Sequence, residues 1–551
     1  MIALLFSACG GSDKGGVAGF GVMNVLKKIP SDASVVAVMN VGQLMNKLDY
    51  KSFKETELFK KMLEEAKSDD AKKILEDPDA AGIATNGQFC MYVQVKGKDN
   101  AVGAILMPIK DVKVLEALFE KSAKEKDDSP FKNIQDAKDY KFVEDKKDDM
   151  KIGVAWDKKM LALTFSAETD LKTVFAEIFD TKRTESILTN KQFKSDKAAD
   201  HDFMIWMQSD PILALAKADE KMLNSLKQSL FFTGLSVEDL NENSIAAFYD
   251  FNKGEMEGGV SYHMNKKIEE EFGAIFKKSI KTDFSSYFPA KNMISISMMG
   301  FDTKGIYEVL NKRSLDGMAD AQLSSMGLTV KEIMDGLDGD MAVATYINPE
   351  AGEKGNMQQA VIAIAFKKPE LLDKLLELAN ATGVKITRTG NRISAADMAD
   401  KGGAVFVNNV LVLSNNTAIL DQIEKGGYKG AETLAKEHYK TMSKGWMGAH
   451  IDYSSIVASA SSISSMRNFG EMFEMLGEYN ELESGTFTAT TETAKMMVFL
   501  KNKSENSLKV LMNVANKVYV DRDKIEEKMK GLQNPESDTD EDMTDKDETS
   551  M

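Results

Sequence analysis

Cysteine is almost missing from this chain: there are two in 551 residues, beside 9 prolines and 3 tryptophans. A disulfide-stapled fold needs several cysteine pairs, and a collagenous chain needs far more than 38 Gly and 9 Pro, so both classes are excluded. Histidine is also scarce, with only His201, His263, His438 and His450. No two stand at the i, i+4 spacing of a helical metal pair, and Cys-x-x-Cys is absent, so the sequence offers no zinc or copper site and calls for no cofactor. Each histidine is read as structural or solvated. His201 and Asp202 are neighbours, but adjacent residues on a strand face opposite ways and cannot form a relay by themselves. Basic residues are outnumbered, 70 against 86 acidic, and a net charge of −16 argues against nucleic acid as a partner. No apolar run nears the roughly 18–20 residues of a membrane span. Gly-x-Ser-x-Gly, a Walker loop and His-Glu-x-x-His are all absent, so no catalytic residue is nominated.

What is present begins with an ordinary globular composition, 43% hydrophobic and 28% charged, over a length that predicts more than one folded unit. The first residues, Met1-Ile2-Ala3-Leu4-Leu5-Phe6-Ser7-Ala8-Cys9-Gly10, read as the apolar end of a truncated signal segment (1–8) followed by a cysteine able to accept a lipid. Cys9 is therefore the candidate lipidation site, with a palmitate-type anchor holding the protein to a membrane. Residues 9–28 read as a flexible tether, which also absorbs the glycine-rich stretch 15–21. Cys90, inside Phe89-Cys90-Met91-Tyr92-Val93, reads as buried packing. From Pro535 to Met551 eight carboxylates face one base, Lys546, which predicts a disordered acidic tail over 534–551.

Comparing the body with itself predicts two tandem repeats, 29–286 and 287–533. Ile29-Pro30 and the strand after it match Phe288-Pro289, 259 residues on, and Ala101–Ile105 matches Ala360–Ile364 at the same offset. Lys151–Trp156 matches Lys401–Phe406 at 250, and Trp206–Ile212 matches His450–Ile456 at 244. The shared positions (Pro30/Pro289, Val102/Val361, Gly153/Gly403, Leu161/Leu411, Leu163/Leu413, Ile212/Ile456) are apolar or backbone-special, so the common inheritance is fold rather than a duplicated active site. Periodicity places strands at 35–41, 89–95, 102–109, 150–156, 160–165, 203–208, 244–251 and 256–263, with helices at 58–66 and 170–179. Hairpins dominate and helices lie between them, which predicts an α+β fold with mainly antiparallel sheets packed on helices. Asp250–Glu255 has the look of a calcium loop but sits between strands and reads as a hairpin turn. Asp335, Asp338 and Asp340 are carboxylates enough for a cation without the downstream Glu. Trp156 reads as core; Trp206 and Trp446 stay open between core and exposed platform. The 34 methionines read as core filler.

The cysteine-ended leader followed by Ile29-Pro30-Ser31-Asp32-Ala33 and an apolar strand resembles a Bacteroidetes lipoprotein family catalogued as domain of unknown function 4836. That resemblance implies an envelope lipoprotein and carries no catalytic residues. The expectation is a non-enzymatic cell-envelope protein, an outer-membrane lipoprotein facing the periplasm or the surface. It would bind an unidentified ligand or protein partner in the cleft between the repeats. The alternatives are an envelope hydrolase acting on glycan or peptide, and a periplasmic carrier of an apolar ligand.

Overall fold

The computed structural model describes residues 25–533 apart from 98–99, 126, 148, 180–184, 232–234, 278, 325–326, 348–357, 382, 396–401 and 461–476. Cys9, the leader, most of the tether and the acidic tail lie outside the described residues. The packed body starts earlier than Ile29: Val25 and Leu26 are buried against Ile29, because two apolar side chains in a short helical turn can reach the first core.

Ten strands lie in the first half: β1 (Val35–Asn40), β2 (Gln88–Gly97), β3 (Asn100–Pro108), β4 (Gln135–Asp136), β5 (Lys141–Lys147), β6 (Met150–Trp156), β7 (Met160–Ser166), β8 (Phe203–Gln208), β9 (Ser244–Asn252) and β10 (Glu255–His263). Ten more follow in the second: β11 (Met293–Gly300), β12 (Leu337–Ile347), β13 (Gln358–Phe366), β14 (Ile386–Thr389), β15 (Arg392–Ala395), β16 (Gly403–Val407), β17 (Val410–Ser414), β18 (Met447–Asp452), β19 (Leu482–Ala489) and β20 (Thr493–Leu500). All pairings are antiparallel. The first half runs β4-β5-β6-β7-β3-β2-β1-β8-β9-β10 across the sheet. The second runs β14-β15-β16-β17-β13-β12-β11-β18-β19-β20, which is the same order. One pairing, β10 with β20, joins them into a single sheet of 20 strands among the described residues.

The registers agree residue by residue. Trp206 lies opposite Val36 and Ala246, as His450 lies opposite Ile296 and Thr486. Ala246 then meets Ser261, and Thr486 meets Met497, so Gly259 and Lys495 hold matching places. Those two residues pair with each other, and the junction is thus centred on its own two-fold. One offset from the sequence comparison needs correction. Tyr92 and Ala344 match through β1 and β11, and their partners are Ala104 and Val361, so Ala104 rather than Val102 corresponds to Val361. The two-residue shift keeps every side chain on its face, which is why the apolar pattern concealed it.

Each half buries both sheet faces. One face of the first half packs Val36, Tyr92, Ala104, Ala162 and Trp206 against Val174 and Ile178 of the helix Leu171–Phe179. Its counterpart packs Ile296, Ala344, Val361 and Val412 against Ile419, Leu420 and Ile423 of the helix Thr417–Glu424, whose N-terminus is capped by Asn416. The opposite faces are covered by the helices Val112–Glu125 and Pro369–Ala381. Each fully buried side chain of this size contributes about 1.5–3 kcal/mol.

Candidate functional site

Among the described residues, two clefts present themselves as candidate sites. The first lies at the junction between the halves, where the sequence reading placed a ligand surface. Gln192, Asp196, Tyr262, His263 and Glu269 line it from the first half and Thr491, Glu492 and Thr493 from the second, around about 460 Å³. His263 Nε2 lies 2.8 and 2.9 Å from the two Asp196 oxygens. Burial pushes the Asp196 carboxyl above its ordinary value, while His263 and the Ser261 hydroxyl pull the other way. Ser261 bonds to the carboxylate and not to the imidazole, so this trio does not have the serine–histidine–acid order that activates a hydroxyl.

The second cleft is apolar and belongs to the second half alone. It lies on the sheet face covered by the helix Pro369–Ala381, and encloses about 390 Å³ between Ala360 and Ile362 of β13, Leu413 of β17, Ala404 of β16, and Ile393 and Ile386 of β15 and β14. β14 and β15, which line its edge, form a tight hairpin with Gly390 at φ +60° between them. The polar side chains at its rim are already bonded. Asn415 Oδ1 accepts from the Ala360 N–H at 2.9 Å, Ser414 Oγ from the Asn416 N–H at 3.0 Å, and Ser394 Oγ lies 3.1 Å from Thr387 Oγ1.

Other residues singled out in the sequence serve the fold. His201 Nδ1 lies 2.7 Å from Asp250 Oδ2, and its ring stacks on Phe248 at 4.1 Å. Burial would raise the Asp250 carboxyl, but bonds from His201 and the Asp202 N–H hold it below its ordinary value. Asp202 itself is fully buried and takes Lys47 Nζ at 2.5 Å and the Phe251 N–H at 2.7 Å. His201 thus pairs with Asp250 rather than with its neighbour Asp202. The turn after Asp250 is a β9–β10 hairpin with Gly254 at φ +69°. Asp338 and Asp340 hold Lys277 at 3.0 and 2.9 Å, and Asp335 holds Lys331 at 2.7 Å, so those carboxylates face lysines. Trp156 and Trp206 are both core, whereas Trp446 is half-buried with its indole N–H donating to the Thr490 carbonyl at 3.2 Å. Cys90 is free and buried. Among the described residues no group of three or more His, Cys, Asp or Glu could hold a metal ion, and no helix is long and apolar enough to cross a membrane. Sequence reasoning missed the apolar cleft. Its signal was the pair of short segments Ile386-Thr387-Arg388-Thr389 and Arg392-Ile393-Ser394-Ala395 around Gly390-Asn391, a hairpin signature too brief for a periodicity test.

The fold and these clefts define a class: an all-antiparallel α+β protein of two like-ordered halves. More particularly, the chain belongs to the family described as domain of unknown function DUF4836, whose model matches residues 24–508. No curated protein matches it. Among solved structures it is similar to crystal form I of TP0453, with 10% identity over 45% of this chain and 81% of that one at a TM-score of 0.23. Crystal form IV of TP0453 gives 9% identity over 44% and 83%, again at 0.23, a likeness too slight to argue from.

Proposed function

We propose that this is a non-catalytic binding protein of the cell envelope, held to a membrane by a lipid on Cys9, whose folded body is a tandem duplication of one α+β unit. The observation that carries the reading is the contrast between its concave surfaces and its titratable groups. Among the described residues two clefts are open, while the buried or clustered charges at Asp202, Asp250, Asp338 and Asp340 are each engaged in structural pairs. Duplication is supported by the common strand order and by a junction centred on Gly259 and Lys495, the arrangement a symmetric edge-to-edge dimer would leave after fusion. Had a catalytic centre been duplicated, matching acids or bases would stand in both halves. Instead Trp206 matches His450, and Phe142 matches Arg392, which pairs with Asp421 and Glu424. The alternative of an envelope hydrolase draws on the junction cleft, where Asp196, Glu269 and Glu492 meet. An Asp196→Asn, Glu492→Gln variant that lost a glycan- or peptide-cleaving activity present in the parent would favour it.

The anchor is tested by expressing the gene with its upstream codons in cells fed a clickable fatty acid. The parent should take up label and fractionate with membranes, and Cys9→Ala should do neither. Equal labelling of the two would remove the anchor.

A further inference from the structure

We propose that the apolar cleft of the second half is a binding site for an aliphatic chain, such as the acyl chain of a fatty acid. The inference deepens the binding-protein reading and does not depend on the anchor. It rests on what the first half does with the same place in its sheet. The registers put Gly103 and Phe165 opposite each other where Ala360 and Asn415 stand in the second half. The Phe165 ring lies directly over Gly103, so close that a Cβ there would be 2.0 Å from its tip. Val154 stands where Ala404 does, and Leu163 where Leu413 does. Beyond the covering helix Val112–Glu125, Phe131 stacks on Phe119 at 4.2 Å and closes the first half's face. The second half passes from Ala381 to Ile386 in four residues and has no room for such a turn. The outcome is visible in one pair: Leu163 is 6% exposed, and Leu413 is 36% exposed.

The volume that a phenylalanine, a larger valine and an added aromatic fill in one half is thus open in the other. Its lining chemistry specifies the occupant. Every side chain facing it from Ile362, Ile386, Ile393, Ala404 and Leu413 is aliphatic, and the rim polar groups are bonded within the chain. Among the described residues no charged side chain and no aromatic ring lines it to orient a polar or planar ligand. A flexible hydrocarbon chain needs neither. At about 390 Å³ the cleft lies within the roughly 300–1,000 Å³ range of small-ligand sites.

The test titrates the full chain with 11-(dansylamino)undecanoic acid, followed by dansyl fluorescence, with dodecanoate as competitor. One saturable, dodecanoate-displaceable site per chain is expected. A second arm presents phosphatidylethanolamine vesicles: displacement of the probe by these as well assigns the chain to a lipid, and displacement by dodecanoate alone to a free fatty acid. Asn415→Phe with Ala404→Val rebuilds the first half's filling and should weaken binding by about tenfold or more, the equivalent of about two methylenes left unburied. Leu413→Asp, at a side chain already partly in water, should do the same where the double variant fails to fold. Phe165→Asn should open a second site in the first half. Absence of saturable binding by the parent, or unchanged binding in folded Leu413→Asp, would overturn the proposal. Either result leaves the anchor and the junction cleft standing.

Discussion

His450 and Trp206 occupy matching places on β18 and β8, and the difference between their side chains has a thermodynamic consequence. His450 is buried beside His438, whose ring centroid is 4.5 Å away, with Thr486 Oγ1 at 3.4 Å from its Nδ1. Burial, reinforced by the His438 charge and opposed by Asp452, lowers its pKa from 6.5 to about 4. The folded chain then refuses a proton that the unfolded chain accepts. Stability from this site is therefore full above about pH 6.5 and declines as the pH falls toward 4, by about 3 kcal/mol in all. Urea denaturation at pH 7.5 and pH 5 should show a shallower pH dependence for His450→Phe than for the parent. Equal slopes would contradict this account. Cys90 offers a second check: burial pushes its thiol up to about 12, so iodoacetamide at pH 8 should modify it roughly a thousandfold more slowly in the native protein than in urea.

Between elements, the halves perform a substitution experiment on themselves. A methyl group at Gly103 would strike the Phe165 ring, and Gly103→Ala should destabilise by about 1–3 kcal/mol through overpacking. Alanine already stands at the matching Ala360, where Asn415 leaves it space, and Ala360→Gly should cost only about 0.5–1 kcal/mol through backbone entropy. Thermal or urea denaturation of the two variants measures the difference directly. The same pair shows how far the sequence was legible. Strands with uninterrupted apolar or alternating patterns, such as Phe203–Gln208 and Met160–Ser166, could be placed within a residue, because burial on one or both faces dictates their side chains. β5 could not: its Lys141-Phe142-Val143-Glu144-Asp145-Lys146-Lys147 is apolar only where it reaches the core, and its last three residues are exposed. The helices Ser209–Ala218 and Glu220–Phe231 were equally faint, since the former buries only Leu213 and Ala216 and the latter buries no side chain fully. Cleft formation was illegible for a different reason. It depends on what is missing opposite Ala360 and Ala404, and absence of bulk leaves no periodic mark.

The whole molecule is held by more than the β10–β20 pairing. Each half sends the segment after its last strand across to the other. After β10, Glu271 of the helix Lys266–Gly273 pairs with Lys312 at 3.0 Å and Arg313 at 3.3 Å in the second half. After β20, the helix Ser507–Val520 returns to the first: Lys509 reaches Asp49 at 3.0 Å, Asn516 Oδ1 accepts from the Leu58 N–H at 3.0 Å, and Met512 packs on the cluster of Val41, Met45, Tyr50, Phe53 and Phe59. That cluster is formed by the short helices between 41 and 65 together with Leu75, Met39 and Phe89. Truncation after Asn506 removes residues far along the chain, yet its effect should appear at the beginning. Amides within 41–65 should exchange roughly tenfold or more faster by hydrogen–deuterium exchange, with β12 and β13 unchanged. If the loss of protection were instead confined to the second half, the crossing helix would be packing without stabilising, and the two halves would be coupled through the strand junction and the Glu271 contacts.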